Sequence, residues 1–367
     1  MPTPNDAEPE LRKMSRKRRL AFRISAVVIA FAISLYACEF AVYISGINND
    51  FRSPSMLQIS TRPGNPTELL PHGFIPFAAI QHWYSTNPRG YFDLNNSIRH
   101  HFNSEGWRDS EHKLEKPDNV FRILGVGDSY TFGQGVKRED LFLTHLKSLV
   151  TKVDSGRQIE VINTGQPGYN TVMEKELLEA RGFDYSPDLV LLSFVPNDVE
   201  ADIYTDRPKV EFFEDFTASY IGQDWLSEHS ELWMLGRRKF LQYSTADSYL
   251  QKSIDSYLND PEKWNRCRDA LTDIRDLCRQ NECKLAVAIF PFFVNLNGDY
   301  PFQPIHDHVR SFCLEAEIPV VDLRESFREF EGPELWVHPT DQHPNDQAHR
   351  IAAESIAKFL AENDLLP

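Results

Sequence analysis

Short apolar segments alternate with amphipathic segments along the C-terminal two thirds of the chain. From Val120 onward, apolar runs such as FRILGVG, DLVLLSFV and KLAVAIF are separated by segments with helical spacing, such as WNRCRDALTDIRDLCRQ and DQAHRIAAESIAKFLAEN. The apolar runs lack polar alternation, which is typical of parallel strands covered on both faces. The pattern predicts one α/β domain over residues 119–363, with helices on both faces of a parallel sheet.

This alternation is interrupted at about residues 199–263. The interrupting stretch is rich in aromatic and acidic residues and contains one segment of helical character, SELWMLGRRKFLQY. A long insertion between a strand and the next helix often covers a site. A helical decoration that only stabilises the domain would give the same pattern.

One long apolar segment lies near the N-terminus. Residues 24–47 are mostly apolar and carry one charge, that of Glu39, and at about 1.5 Å per residue such a helix can cross a hydrocarbon core of about 30 Å. The basic cluster within residues 1–23 predicts a cytoplasmic tail, a single membrane span and an extracytoplasmic body, periplasmic or extracellular. A cleaved signal peptide and a lipoprotein beginning at Cys38 are the alternatives.

Residues 48–118 combine Pro, Asn, His and aromatic residues with little periodicity, which predicts a stalk followed by an irregular extension. The whole chain has a net charge of −15, although seven of its 39 basic residues lie within residues 1–23. The remainder is therefore strongly acidic and repels phosphate backbones, so nucleic acid is not an expected partner.

Four of the five cysteines lie close together in sequence, at Cys267, Cys278, Cys283 and Cys313. They form no CxxC pair, so their spacing does not predict a zinc site. In an extracytoplasmic domain, the sequence is compatible with one disulfide among these four residues and equally with four buried free thiols.

Polar residues follow several predicted strands, where the strands of a parallel sheet bring their carboxyl ends to one rim. The first strand is followed by DS, the second by GQPGYNT, the third by VPND, and the sequence DQHPN lies near the C-terminus. This rim collects Ser129, Gly168, Asn197, Asp341 and His343.

These residue types have the chemistry of a serine esterase. A serine hydroxyl needs an adjacent base to become a good nucleophile, a histidine can be that base, and a carboxylate can orient the histidine. A backbone or side-chain amide can stabilise the oxyanion of the tetrahedral intermediate. Ser129 could instead only cap the helix that follows it, as serine commonly does.

Other interpretations of GVGDSYTFG do not fit its residues. A dinucleotide-binding fingerprint needs glycine where Tyr130 stands, and a phosphate-binding P-loop needs a Gly-Lys pair that this stretch lacks. The nucleophile elbow GxSxG needs glycine where Thr131 stands.

Four blocks in this order, GDSYTFG, NTGQPGYNT, VPND and a late His-Pro-Asn, resemble the SGNH (GDSL-type) hydrolase superfamily over about residues 121–359. The upstream NSEGWRDSEH resembles a membrane-anchored branch of that superfamily. The resemblance implies a three-layer α/β/α, flavodoxin-like fold that needs no metal or organic cofactor. It assigns the nucleophile to Ser129, the base to His343, its orienting carboxylate to Asp341, and the oxyanion hole to Ser129 N–H, Gly168 N–H and Asn197.

Two positions depart from the family pattern. Val195 stands where the third block usually has glycine, and only Gln342 separates Asp341 from His343, where the family usually has two residues. The literal pattern of the last block instead matches Asp346-Gln347-Ala348-His349.

The sequence therefore predicts a membrane-anchored serine ester hydrolase that acts outside the cytoplasm on acyl esters, acetyl esters of carbohydrate being the expected class. An O-acyltransferase with the same three residues is one alternative. A catalytically silent, anchored polysaccharide-binding or assembly module is the other.

Overall fold

The computed structural model describes residues 15–51, 56–60, 74, 76–151, 156–199 and 225–367. Most of the predicted tail and part of the predicted insertion lie outside the described residues. The chain divides into two compact units, Met1–Asn49 with Gln223–Gln242, and Asp50–Gly222 with Tyr243–Pro367.

The helices are α1 Arg16–Ser45, α2 Ser129–Phe132, α3 Phe142–Val150, α4 Thr171–Leu177, α5 Trp225–His229, α6 Glu231–Leu258, α7 Pro261–Gln280, α8 Gln303–Glu315, α9 Arg324–Phe327 and α10 Asp346–Glu362. The strands are β1 Met56–Ser60, β2 Ala79–Trp83, β3 Ser97–His101, β4 Val120–Gly127, β5 Gln158–Asn163, β6 Leu189–Phe194, β7 Lys284–Ile289, β8 Val320–Asp322, β9 Trp336–His338 and β10 Asp341–Pro344.

The central sheet of the second unit has five strands in the order β5-β4-β6-β7-β8, all parallel. All eight residues of β4 and all six of β6 are buried. Full burial of an apolar side chain is worth about 2 kcal/mol, so these apolar runs are placed where they contribute most. Helix α3 packs against α10 and α4 against α7. The α/β fold with a parallel sheet, predicted from the unalternated strands, is confirmed.

The last residues of β4 make close approaches that glycine permits. A Cβ atom on Gly125 would lie 2.4 Å from the side chain of Leu143, and one on Gly127 would lie 2.2 Å from Thr131 Oγ1. The side chain of Asp128 caps the short helix α2 by accepting the Tyr130 N–H at 2.8 Å. The chain therefore turns sharply from strand to helix at Ser129.

Residues 79–101 are more regular than the sequence indicates. Strands β1, β2 and β3 form an antiparallel sheet in the second unit. The alternation of this region is hard to recognise because two of its buried positions are the polar residues His82 and His100.

The segment that follows β3 supports the loop after α2. Buried Arg108 donates to the carbonyl of Phe132 at 2.7 Å, to that of Gly133 at 2.5 Å and to that of Val136. The predicted extension thus packs against the segment that carries Ser129.

All five cysteines are free, and four of them are buried. Between the two alternatives left open by the sequence, the structure has free thiols. The interaction of Cys278 with the neighbouring Cys283 thiol, together with burial, raises the pKa of the Cys278 thiol.

Helix α1 is the one described helix that is long and apolar enough to cross a membrane. No residue of its most apolar stretch is buried inside the protein. Its 30 residues correspond to about 45 Å of helix. An N-terminal signal sequence can meet the same criteria of length and apolar composition.

Candidate active site

Ser129 and His343 are in direct hydrogen-bond contact. Ser129 is the first residue of α2, and its Oγ lies 2.9 Å from His343 Nε2. The short turn at the end of β4 presents this hydroxyl at the carboxyl edge of the central sheet. The contact places a serine hydroxyl and an imidazole nitrogen within the distance needed for proton transfer.

Asp341 holds the other nitrogen of His343. The two residues lie on β10, which pairs with β9 in an antiparallel hairpin, and His343 Nδ1 is 2.5 Å from Asp341 Oδ1. The same oxygen accepts the backbone N–H of His343 at 3.2 Å. Side chains two residues apart on a strand point to the same side, so extended backbone explains how a spacing of two residues brings carboxylate and imidazole together.

A residue from the segment before β4 holds the second oxygen of Asp341. Tyr84 O–H donates to Asp341 Oδ2 at 2.8 Å, and the Gln134 side-chain amide donates to it at 3.4 Å. Tyr84 is buried and stacks on Phe92 with ring centroids 4.3 Å apart. The sequence contains no motif that would identify Tyr84, which lies 257 positions before its partner.

The charges of this site shift the pKa values of both partners. Burial alone would raise the pKa of Asp341, but the charge of His343 and the hydrogen bonds from His343 and Tyr84 hold it well below its ordinary value. Burial alone would lower the pKa of His343, but the charge and hydrogen bond of Asp341 and the charge of Asp128 raise it. The pair therefore favours an ionised carboxylate beside a basic imidazole.

Asn197 and Ser129 both contact the carboxylate of Asp128. Asp128 Oδ2 is 3.5 Å from Ser129 Oγ and 3.4 Å from Asn197 Nδ2. Val195, at the family's glycine position, is fully buried, and its N–H donates to Asp198 Oδ2 at 2.9 Å. The valine is thus accommodated in the turn that presents Asn197.

Gly168 lies in the loop between β5 and α4, with a left-handed φ of 77° that favours glycine. Two hydrogen bonds join this loop and the end of β5 to the segment around Ser129. Gln166 N–H donates to the carbonyl of Gly127 at 2.9 Å, and Asn163 Nδ2 donates to that of Thr131 at 2.9 Å.

His349, the histidine of the literal DxxH pattern, lies elsewhere. It is fully buried on α10, where Nδ1 accepts the Phe142 N–H at 3.0 Å and its ring stacks on that of Phe142. Burial lowers its pKa to about 3. Its neighbour Asp346 pairs with Arg89 at 2.5 Å. Neither residue has a hydrogen bond to Ser129.

No group of three or more His, Cys, Asp or Glu side chains in the described part of the chain is placed to hold a metal ion.

A buried carboxyl group lies close to this site. Glu174, in α4, is fully buried, and neither of its oxygens has a hydrogen-bond partner. Burial and the nearby charge of Asp128 raise the pKa of Glu174 well above its ordinary value. Glu174 is therefore neutral in the folded protein at pH values where it is ionised in the unfolded chain, and stability is lost as the pH rises through its folded-state pKa.

We expect Glu174→Gln to raise the unfolding temperature, because the variant no longer has a carboxyl group that resists ionisation. The gain should correspond to about 1–3 kcal/mol at about pH 8 and vanish near pH 4, where both states of the wild type are protonated. Thermal unfolding across this pH range measures it. Glu176→Gln, an exposed change on the same helix, is the matched control. A variant less stable than wild type at the higher pH would show that Glu174 is charged and stabilised in the fold.

The family model of the GDSL-like lipase/acylhydrolases matches residues 126–351, more than half of the chain. The matched segment contains Ser129, Asp341 and His343. It confirms the resemblance to the SGNH (GDSL-type) hydrolases. No curated protein sequence matches the chain at a significant level.

Several solved structures are similar to this one, and two of them are described here. A protein described as lipolytic and of the G-D-S-L family from Desulfitobacterium hafniense is 15% identical, with a TM-score of 0.38 over 65% of this chain and 99% of the other. An acetylxylan esterase from Geobacillus stearothermophilus is 16% identical, with a TM-score of 0.42 over 65% of this chain and 94% of the other. On the strength of the family match, this chain belongs to the GDSL-like lipase/acylhydrolase family and is an SGNH-type carboxylic ester hydrolase.

Proposed function

We propose that Ser129 is the nucleophile of this hydrolase, His343 its general base and Asp341 the carboxylate that orients His343. The observation that carries the proposal is the continuous chain of contacts from Ser129 Oγ to His343 Nε2 at 2.9 Å and from His343 Nδ1 to Asp341 Oδ1 at 2.5 Å. The ionised carboxylate fixes the imidazole tautomer that leaves Nε2 free to accept the serine proton.

In the first half-reaction, Ser129 Oγ attacks the ester carbonyl carbon and His343 Nε2 takes its proton. The bond from the carbonyl carbon to the alcohol oxygen then breaks, and His343 returns the proton to the leaving alcohol. In the second half-reaction, His343 Nε2 takes a proton from a water molecule that attacks the acyl carbon. The bond from that carbon to Ser129 Oγ then breaks, His343 returns the proton to Oγ, and the acid is released.

The negative charge on the carbonyl oxygen needs donors during both attacks. We assign these to the backbone N–H groups of Ser129 and Gly168 and to the side-chain amide of Asn197. An amide nitrogen carries two hydrogens, so the contact between Asn197 Nδ2 and Asp128 leaves one for the oxyanion. One such donor typically lowers the barrier by about 3 kcal/mol.

The proposed location is a membrane, with α1 as a single span, the N-terminus in the cytoplasm and the hydrolase domain outside. Basic residues precede the apolar part of α1, which favours this orientation. On that side of the membrane the accessible esters include acyl groups on cell-surface polysaccharide. We therefore assign short acyl esters of carbohydrate, acetyl esters above all, as the substrate class.

A serine-directed fluorophosphonate tests the assignment on the full-length protein in detergent. We expect covalent labelling that peptide mapping places on Ser129, together with faster hydrolysis of nitrophenyl acetate than of longer acyl esters. Labelling confined to another serine would contradict the proposed nucleophile, and a preference for long chains would contradict the acetyl assignment. An acetylated oligosaccharide, given with and without a second sugar as acceptor, distinguishes hydrolysis from acyl transfer by its products.

Tyr84→Phe is expected to lower kcat by at least about tenfold with little change in KM, because a hydrogen bond to a charged group contributes about 1.5–3 kcal/mol and here positions Asp341. Steady-state kinetics on an acetyl ester measures the split between the two constants. Tyr91→Phe is the matched control, since Tyr91 also donates to a carboxylate, that of Asp140 at 2.7 Å. Equal effects of the two changes, or a change confined to KM, would contradict a positioning role for Tyr84.

A further inference from the structure

Glu39 is the one charged residue in α1 after Arg23. Its carboxylate accepts hydrogen bonds from residues at the start of α6. Glu39 Oε2 accepts from Ser230 Oγ at 3.1 Å and from the Leu232 N–H at 3.1 Å. Glu39 Oε1 accepts from the Glu231 N–H. The carboxylate therefore satisfies backbone donors that the first turn of a helix leaves unpaired, and it lies at the positive end of the helix dipole.

Further hydrogen bonds extend this contact towards the end of α1. Asn48 Nδ2 donates to the carbonyl of Glu231 and to its Oε2, each at 2.9 Å. Arg238 donates to the carbonyl of Ile47 at 3.1 Å. The segment 225–240, made of α5 and the first part of α6, is thus attached along the C-terminal part of α1. We call this segment the elbow.

The elbow exposes large apolar side chains. The exposed fractions are 68% for Trp225, 44% for Leu226, 47% for Trp233 and 69% for Phe240. Trp233 and Phe240 are seven residues apart and share one face of α6. Exposed tryptophan is typical of the boundary between lipid and water.

The basic run RRK at residues 237–239 adjoins this apolar face. Lysine and arginine next to exposed aromatic residues suit a surface of anionic lipid headgroups, each contributing about 1 kcal/mol near the membrane. The elbow therefore has both parts of an interfacial segment, an apolar face and adjacent positive charge.

The position of Glu39 along α1 sets the depth of the contact. It follows Arg23 by 16 positions, which is about 24 Å along a helix, and a hydrocarbon core is about 30 Å thick. With Arg23 reaching the headgroups on one side, Glu39 comes to the opposite edge of the hydrocarbon. A carboxylate there is costly without donors, and the elbow supplies them.

We propose that the elbow is a second membrane-binding element, which lies in the outer interface of the bilayer spanned by α1 and is held at that depth by Glu39. This inference rests on the proposed membrane span. The elbow binds the lipid surface. The membrane anchor of the enzyme then consists of a helix joined to an interfacial segment.

Full-length protein reconstituted into vesicles of phosphatidylcholine and phosphatidylglycerol with brominated acyl chains provides the test. Bromine quenches nearby tryptophan, and we expect quenching in the wild type that is at least about twofold weaker in Trp225→Phe/Trp233→Phe. The matched control Trp83→Phe/Trp336→Phe also removes two tryptophans and should retain it. Glu39→Leu should weaken quenching while the protein stays in the membrane after carbonate extraction, because only the attachment of the elbow is lost.

The possible failures are distinguishable. The wild type could resist carbonate extraction while bromine quenches the two double variants equally. That result would overturn the interfacial elbow and leave the span intact. Release of the wild type by carbonate would overturn both. Labelling of Ser129 by the fluorophosphonate reports separately on the hydrolase site in each case.

Discussion

Ser129→Ala is expected to lower kcat for ester hydrolysis by about a millionfold, since the variant has no hydroxyl to form the acyl-enzyme. His343→Ala should cause a loss of similar size, because it removes the proposed base, whose Nε2 lies 2.9 Å from Ser129 Oγ. The double variant should be no slower than either single variant, since the two residues act as one unit. Steady-state kinetics with an acetyl ester, corrected for folded protein, measures all three.

The interpretation of these losses depends on the fold remaining intact. Ser129 is partly exposed, so removal of its hydroxyl leaves no large cavity, and the unfolding temperature should change little. Ser355→Ala is a control of the same chemistry, because its hydroxyl bonds to Ser326 Oγ at 2.6 Å, away from the site. Ser129→Ala protein that keeps activity within tenfold of wild type would show that another group attacks the ester.

Much of the site follows from the sequence because parallel strands present their carboxyl ends at one rim. The segments after β4 and β6 supply Ser129 and Asn197. The apolar runs of these strands, which lack alternating polar residues, are enough to predict a parallel sheet. The spacing of Asp341 and His343 is explained only once both residues are seen on a strand, where side chains two apart share a side. A helix-like spacing would have selected Asp346 and His349 instead.

Other parts of the site depend on contacts between distant segments, which no local pattern encodes. Tyr84 reaches Asp341 because the antiparallel sheet of β1 to β3 packs in the same unit. That sheet was hard to predict because its buried positions include histidine. Glu174 has the sequence pattern of an ordinary helix residue, and only its burial distinguishes it from Glu176.

Asp341→Asn is expected to lower kcat about 10⁴-fold, although the substituted side chain has nearly the same shape. An asparagine amide that donates to His343 Nδ1 would stabilise the tautomer with the proton on Nε2. That tautomer cannot accept the proton of Ser129. The loss is smaller than for Ser129→Ala because the nucleophile and the proposed oxyanion donors remain in place.

The pH dependence separates this electrostatic role from a structural one. In the wild type the pKa of His343 is raised, so kcat/KM should rise with pH through a midpoint above about 6.5, as neutral imidazole forms. Asp341→Asn removes the raising charge and leaves the burial, so the midpoint should move below that value. Asp346→Asn is the matched control, since Asp346 pairs with Arg89, and it should change neither kcat nor the midpoint. A collapse of activity in Asp346→Asn with Asp341→Asn nearly unaffected would instead assign the base to His349.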